Sequence, residues 1–188
     1  MRNTSQETDS ALAARAAAGD REAFGALVLR YEAPVRRVAR AVTGNAMDAD
    51  DAAQEAFLSA LDRIETYDRS RPFGPWLLRI ATNAAIDLLR RRAVRSAEPL
   101  DERLAAHERS PARAAEVADL SDRLRAALAT LPERQRAALT LFDVEGYPHA
   151  DIAEILGIPE GTVRSDVFHA RRALRELLTL DDPSREDA

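Results

Sequence analysis

The chain has 188 residues, 46% apolar and 31% charged, with a formal net charge of −5, enough for one large domain or two small ones. It has no Cys, which excludes disulfides and thiolate metal sites, and His107, His149 and His169 are too widely spaced to pair as metal ligands. The net acidity excludes a protein that coats nucleic acid with a general positive surface, so any such contact must come from local patches.

The first ten residues, "MRNTSQETDS", are polar and lack the apolar stretch of a signal peptide. They are expected to be disordered. Asp9 or Ser10 offers a cap to a first helix, and Gly19 a stop. A second helix follows from Asp20, with Phe24, Leu27, Val28 and Tyr31 at helical spacing. Pro34 is expected to break or kink it, after which Val35, Val38 and Val42 continue the stripe.

"MDADDAAQEAFLSALDRIET" reads as an amphipathic helix. Ala53, Phe57, Ala60, Leu61 and Ile64 form its apolar face, with Asp51, Gln54, Glu55 and Asp62 opposite. Between Asp48 and Glu65 six acids stand against one base, Arg63. Charge alone allows a solvated face or a docking face for a basic partner, the former being commoner.

"TYDRSRPFGP" is a loop by its Pro, Gly and Ser content. Tyr67 and Phe73 are unusual in such a polar loop. The next helix buries Leu77, Ile80, Ala81, Ala84 and Leu88, with Asn83 off that stripe. Trp76 is expected as a core anchor, and Asp87 as the partner of a nearby Arg. From Arg79 to Arg95 five Arg face one Asp. All 27 basic residues of the chain are Arg, as a genome rich in G and C produces, so Arg abundance alone proves nothing.

Residues 96–119 have mixed charge and no sustained apolar face, and read as a flexible linker. Periodicity returns at Leu120 and continues through Leu124, Leu128 and Leu131; Pro132 suits a first helical position and Gly146 a stop. Ala153, Gly157 and Val163 then have the spacing of a helix-turn-helix: a small residue at the crossing, a turn residue tolerating positive φ, and a buried residue in the second helix. Ile152, Ile155, Leu156, Ile158 and Val167 fill its core. The second helix, from about Glu160, would expose Glu160, Thr162, Arg164, Ser165, His169, Arg171 and Arg172 to a major groove. Four Arg against three acids from Glu160 to Glu176 give only weak grip in isolation. Residues 179–188 form a short acidic tail.

Ala, Leu, Arg and Glu are abundant and aromatic residues and Gly are few, so the expected class is all-α: two small helical domains on a flexible linker, the C-terminal one a helix-turn-helix. No apolar run approaches the ~20 residues of a membrane span. The expectation is a soluble cytoplasmic protein. No phosphate-binding Gly loop, nucleophile triad or metal cluster suggests an enzyme or a cofactor.

Taken together, "DADDAAQEAFLSALDRI" with "WLLRIATNAAIDLLRRR", and "LPERQRAALTLFDVEGYPHADIAEILGIPEGTVRSDVFHARRALRELL", resemble regions 2 and 4 of bacterial extracytoplasmic-function (ECF, group 4) sigma factors. The resemblance implies region 2 over 11–95 and region 4 over 120–178. It implies that Asp51, Gln54, Glu55, Leu58 and Asp62 meet the β′ clamp helices of core RNA polymerase, and that region 4 is gripped by the β-flap. It implies that Tyr67, Arg71, Phe73 and Asn83 read an extruded base of the promoter −10 element, and that Arg90, Arg91, Arg92 and Arg95 hold its backbone. The −35 element falls to the second helix-turn-helix helix, and an anti-sigma factor is an implied partner. Asp166 and His169 stand where the family commonly has basic residues, which is expected to loosen the −35 grip. Two rival readings are a dimeric helix-turn-helix regulator acting without polymerase and an adaptor that binds only protein.

Overall fold

The computed structural model describes residues 7–96, 123–124 and 126–180. The expected linker lies almost wholly outside these residues, as do residues 1–6 and 181–188. Among the described residues every regular element is helical.

Helix α1 (Asp9–Ala17) is capped by Thr8, whose hydroxyl accepts from the Ala11 N–H, so helix begins inside the stretch expected to be disordered. α2 (Arg21–Thr43) has Asp20 as its N-cap and ends at Gly44, whose φ of 80° needs no side chain. Pro34 lies inside α2 and does not end it. The ring removes one N–H, but Leu27 before it and Val35, Val38 and Val42 after it are all buried on one core.

α3 (Ala46–Asp62) starts at Asn45, whose side-chain oxygen accepts from the Asp48 N–H. Of the expected stripe Ala53, Ala60 and Ile64 are buried and Phe57 packs against the core, and Leu61 alone is corrected. Ala49, Ala52, Ala53, Ala56 and Ala60 form the seam, while Leu61 is 40% exposed. Small side chains let α2 and α4 approach closely, and that approach turns the larger Leu61 outward. A 3₁₀ turn (Ile64–Thr66) and a short loop lead to α4 (Phe73–Ser96). Full burial of Leu12, Leu27, Phe73, Leu77 and Leu78 contributes roughly 1.5–3 kcal/mol each.

In the second half, residues 126–130 are helical. α5 (Glu133–Leu139) takes Pro132 as N-cap, one place earlier than expected, and runs into a π turn (Thr140–Val144). That wide turn rotates the following residues, and Tyr147 returns its N–H to the Leu141 carbonyl. α6 (His149–Leu156), a turn at Gly157 with φ of 66°, and α7 (Glu160–Leu180) make the expected helix-turn-helix. Ile152, Ile155, Val163 and Val167 are buried at its centre.

The halves do not stand apart. Leu141, Ile152, Ile155 and Val163 belong to the same apolar cluster as Leu12, Leu27, Phe73 and Leu78. α6 lies on α4, and α5 lies on the end of α2.

Candidate nucleic-acid and polymerase interface

The outer face of α3 presents Asp51, Gln54, Glu55, Leu58 and Asp62, all exposed. Leu58 and Leu61, 54% and 40% exposed, form an apolar strip among these polar groups. Asp48 differs from the other acids of this helix. It is 1% exposed and accepts from Asn45 and from Arg92, each at 2.6 Å.

The loop before α4 is tied inward. Tyr67 is buried and donates to the Arg71 carbonyl at 2.5 Å, and burial pushes its phenol up. Phe73 is 2% exposed, with ring centroids 5.2 Å from Tyr67 and 5.3 Å from Trp76. Packing therefore occupies both rings in this structure, and Trp76 is the core anchor expected. Aromatic rings at these spacings prefer edge-on or tilted contact, as seen here. Arg71 is exposed and binds both oxygens of Glu154 on α6, at 2.5 and 2.6 Å.

Asn83 is exposed on α4, one residue after the buried Thr82. Arg90 lies 3.6 Å from Asp87, the partner expected for that acid, and Arg91 donates to the Asp87 carbonyl. Arg92 points the other way, to Asp48. The side chain of Arg95 falls outside the described residues. The consecutive arginines thus divide between a solvent face and an internal ion pair.

On α7, Arg164, Ser165, His169, Arg171 and Arg172 are exposed, and Glu160 and Thr162 half-buried. Arg164 pairs with Glu160 and Arg172 with Glu176, each one turn apart, while Arg171 pairs with Asp143 and lies over the Phe142 ring. Phe168, absent from the sequence-based candidates, is 63% exposed on the same helix. Its signal was a large apolar residue off the buried Val163–Val167 spacing.

Asp166 corrects the sequence reading. It is 3% exposed, turned inward, and takes Arg134 of α5 at 2.6 and 3.2 Å. These bonds raise the Arg134 guanidinium above its ordinary value. The acid staples α7 to α5 and adds no negative charge to the exposed face. Asp166→Asn is expected to lower stability by about 1–2 kcal/mol, seen in thermal melts, with the base preference at the −35 element unchanged. A changed preference would return Asp166 to the reading face.

Comparison with known proteins bears on what these faces do. The family model "Sigma-70 region 2" matches residues 27–95, and "Sigma-70, region 4" matches residues 121–174. The ECF RNA polymerase sigma factor SigM of Mycobacterium tuberculosis (strain H37Rv) is 37% identical over 173 residues, covering 92% of this chain and 86% of that protein. The solved structure of CnrH in complex with the cytosolic domain of CnrY has a TM-score of 0.68 at 31% identity, over 93% of this chain and 99% of that one. The sigma factor RpoE, in complex with the anti-sigma factor NepR from Bartonella quintana, has a TM-score of 0.70 at 27% identity, over 84% of this chain and 98% of that one. No helix among the described residues is long and apolar enough to cross a membrane. With both region models in chain order and such relatives along most of its length, the chain belongs to the ECF RNA polymerase sigma factors, the subunits with which RNA polymerase starts transcription at specific promoters.

Proposed function

We propose that the two exposed faces divide the work of initiation. The outer face of α3 docks on the β′ clamp helices through Asp51, Gln54, Glu55, Leu58 and Asp62. The exposed apolar strip on that acidic face carries this reading, because a partner that covers it takes Leu58 and Leu61 out of water while the acids form a polar rim. The β-flap takes the second half. Arg71, Asn83, Arg90, Arg91 and Arg95, with the loop holding Tyr67 and Phe73, meet the −10 element as it opens. Asn83 offers donors and an acceptor to an unstacked base edge, and the arginines neutralise phosphate.

α7 enters the major groove of the −35 element. Arg164 suits guanine, Thr162 and Ser165 suit bases or phosphates, and Phe168 suits a thymine methyl. The chain acts in the cytoplasm as a specificity subunit, with no catalytic role of its own. CnrH and RpoE were each solved with a bound protein, an anti-sigma factor in the case of RpoE. That supports the same kind of control here.

Run-off transcription with core polymerase on a promoter library tests the whole reading. RNA from a defined subset of promoters is expected; no RNA, or duplex binding that ignores polymerase, would favour the rival regulator. In the same assay Asn83→Ala should flatten base preference at a single promoter position. An identical base profile would remove Asn83 from the reading role.

A further inference from the structure

Where the two halves meet, Tyr147 lies against Gly74 and Glu154 holds Arg71. A separate cleft of about 260 Å³ opens between the end of α2 and the second half. Arg37 and Arg40 border it from α2, Arg136 from α5, Thr140 and Val144 from the π turn, and Leu128 from the short helix before α5. Gaps between packed bodies are ordinarily dry and apolar, or hold water among matched polar groups. This one has a surplus of cations. Arg37 binds Glu145 at 2.5 and 3.1 Å, and the Glu145 side chain is only 7% exposed, so that pair is neutral. Arg136 forms a clasp on main-chain carbonyls alone: those of Ala41 and Val42 at the end of α2, and of Leu128 and Leu131 in its own half. These bonds use four of the five guanidinium N–H groups and leave one on Nη2. Gly44 puts no side chain beside it; a Cβ there would stand 3.6 Å from that Nη2. Burial draws the Arg136 guanidinium below its ordinary value, outweighing the opposite pull of Glu133. Arg40 is exposed, and its side chain has no hydrogen bond or ion pair among the described residues. Two guanidinium groups thus border the cleft with no acid bound to either. Val144, 61% exposed, and Leu128 give it an apolar wall.

We propose that this cleft is a binding site for a small phosphate monoester with a short apolar or aromatic body. Arg40 and the remaining Arg136 N–H take its head, and Val144 and Leu128 take its body. A phosphate monoester carries about 1.5–2 negative charges at pH 7, which offsets both guanidinium groups, where a carboxylate would offset one. Hydrogen bonds from guanidinium to phosphate are charged at both ends and stronger than neutral ones. The cleft is smaller than the ~300–1,000 Å³ of drug-sized pockets, so it suits a compact metabolite rather than a dinucleotide. Residues of both halves hold the ligand, and a ligand that binds only the folded chain raises its stability by mass action. The site would make the chain responsive to the level of a free metabolite. It does not depend on the assignment of α3, α4 or α7 to polymerase or promoter.

The test uses the full chain without polymerase or DNA, so its outcome is separate from that of the promoter reading. Phenyl phosphate is the probe, titrated by calorimetry, with inorganic phosphate and phenol as its two parts. Saturable binding at one site is expected, with a Tm that rises as the probe is added, and each part alone at least ~10-fold weaker. Arg40→Gln and Val144→Glu, both at exposed positions, should each weaken binding at least ~10-fold while melting like the parent without ligand. Arg63→Gln removes an equal charge from an exposed position outside the cleft and should bind like the parent. No saturable binding, equal affinity for inorganic phosphate, unchanged affinity in either folded cleft variant, or an equal loss in Arg63→Gln would each overturn the site. Vesicles containing phosphatidic acid present the same head group on a lipid, and the chain should not sediment with them. Sedimentation that phenyl phosphate reverses would overturn the assignment to a free metabolite.

Discussion

Arg92→Glu is expected to destabilise region 2 through Asp48 rather than to act through a contact with DNA. Asp48 is 1% exposed, its Oδ2 receives Arg92 and Asn45, and its Oδ1 has no hydrogen-bond partner among the described residues. Replacing the guanidinium by a carboxylate leaves an enclosed charge beside a second of like sign. Breaking a pair with a buried partner costs about 3 kcal/mol, which for a chain of this size lowers Tm by roughly 6–12 °C. Arg90→Glu with Arg91→Glu, on the exposed side of α4, should leave Tm nearly unchanged and reduce promoter opening at least ~10-fold through lost phosphate contacts. Circular dichroism melts beside permanganate footprinting of the opened strand separate the two. Equal melting temperatures for all the variants would show that Arg92 is not structural, and unimpaired opening in the Arg90/Arg91 double variant would remove those residues from the DNA contact.

Leu58→Asp should weaken binding to core polymerase by roughly 30–100-fold, the scale of a central interface residue, while leaving the fold intact. Leu58 is more than half exposed, so little core is lost with it. Asp51→Arg should have a smaller effect in the same direction, with a steeper dependence on salt, because a peripheral charge acts mostly through long-range attraction. Titrating labelled chain with core polymerase and following anisotropy measures both. An affinity unaltered by Leu58→Asp would take the docking role away from α3.

The helix-turn-helix was legible in the sequence because its determinants are local. Gly157 needs positive φ, Ala153 sits at a crossing, Val163 is buried six residues on, and each requirement acts within one turn of chain. The seam of α3 was misread at Leu61, where hydrophobic size was taken for burial. A helix lined with Ala49, Ala52, Ala56 and Ala60 hides its small residues and leaves Leu58 and Leu61 outside. Pro34 does not break α2 for a related reason: the cost of one missing N–H is local, but the burial that carries α2 through it comes from α3 and α4. Asp166 looked like a poor residue for a DNA-facing helix until its side chain was seen on Arg134, thirty-two positions away. The packing of the halves had no sequence signal at all. Tyr147 with Gly74, Glu154 with Arg71 and Glu145 with Arg37 are ordinary surface residues until the fold brings them together. The families of relatives name the enzyme that this chain serves, whereas only the three-dimensional arrangement shows which arginines face solvent and which are already engaged.

The Arg136 clasp differs from the ion pairs around it in what it holds. Arg37 and Arg71 each depend on a particular acid, so a change at either member releases the contact. Every acceptor around Arg136 is a main-chain carbonyl, present whatever amino acid occupies positions 41, 42, 128 and 131. Burial also draws its guanidinium below the ordinary value, and no carboxylate is needed at any of its bonds. Mutational drift at the four neighbouring positions therefore leaves this fastening in place, and a lineage that discards it has a single codon through which to do so.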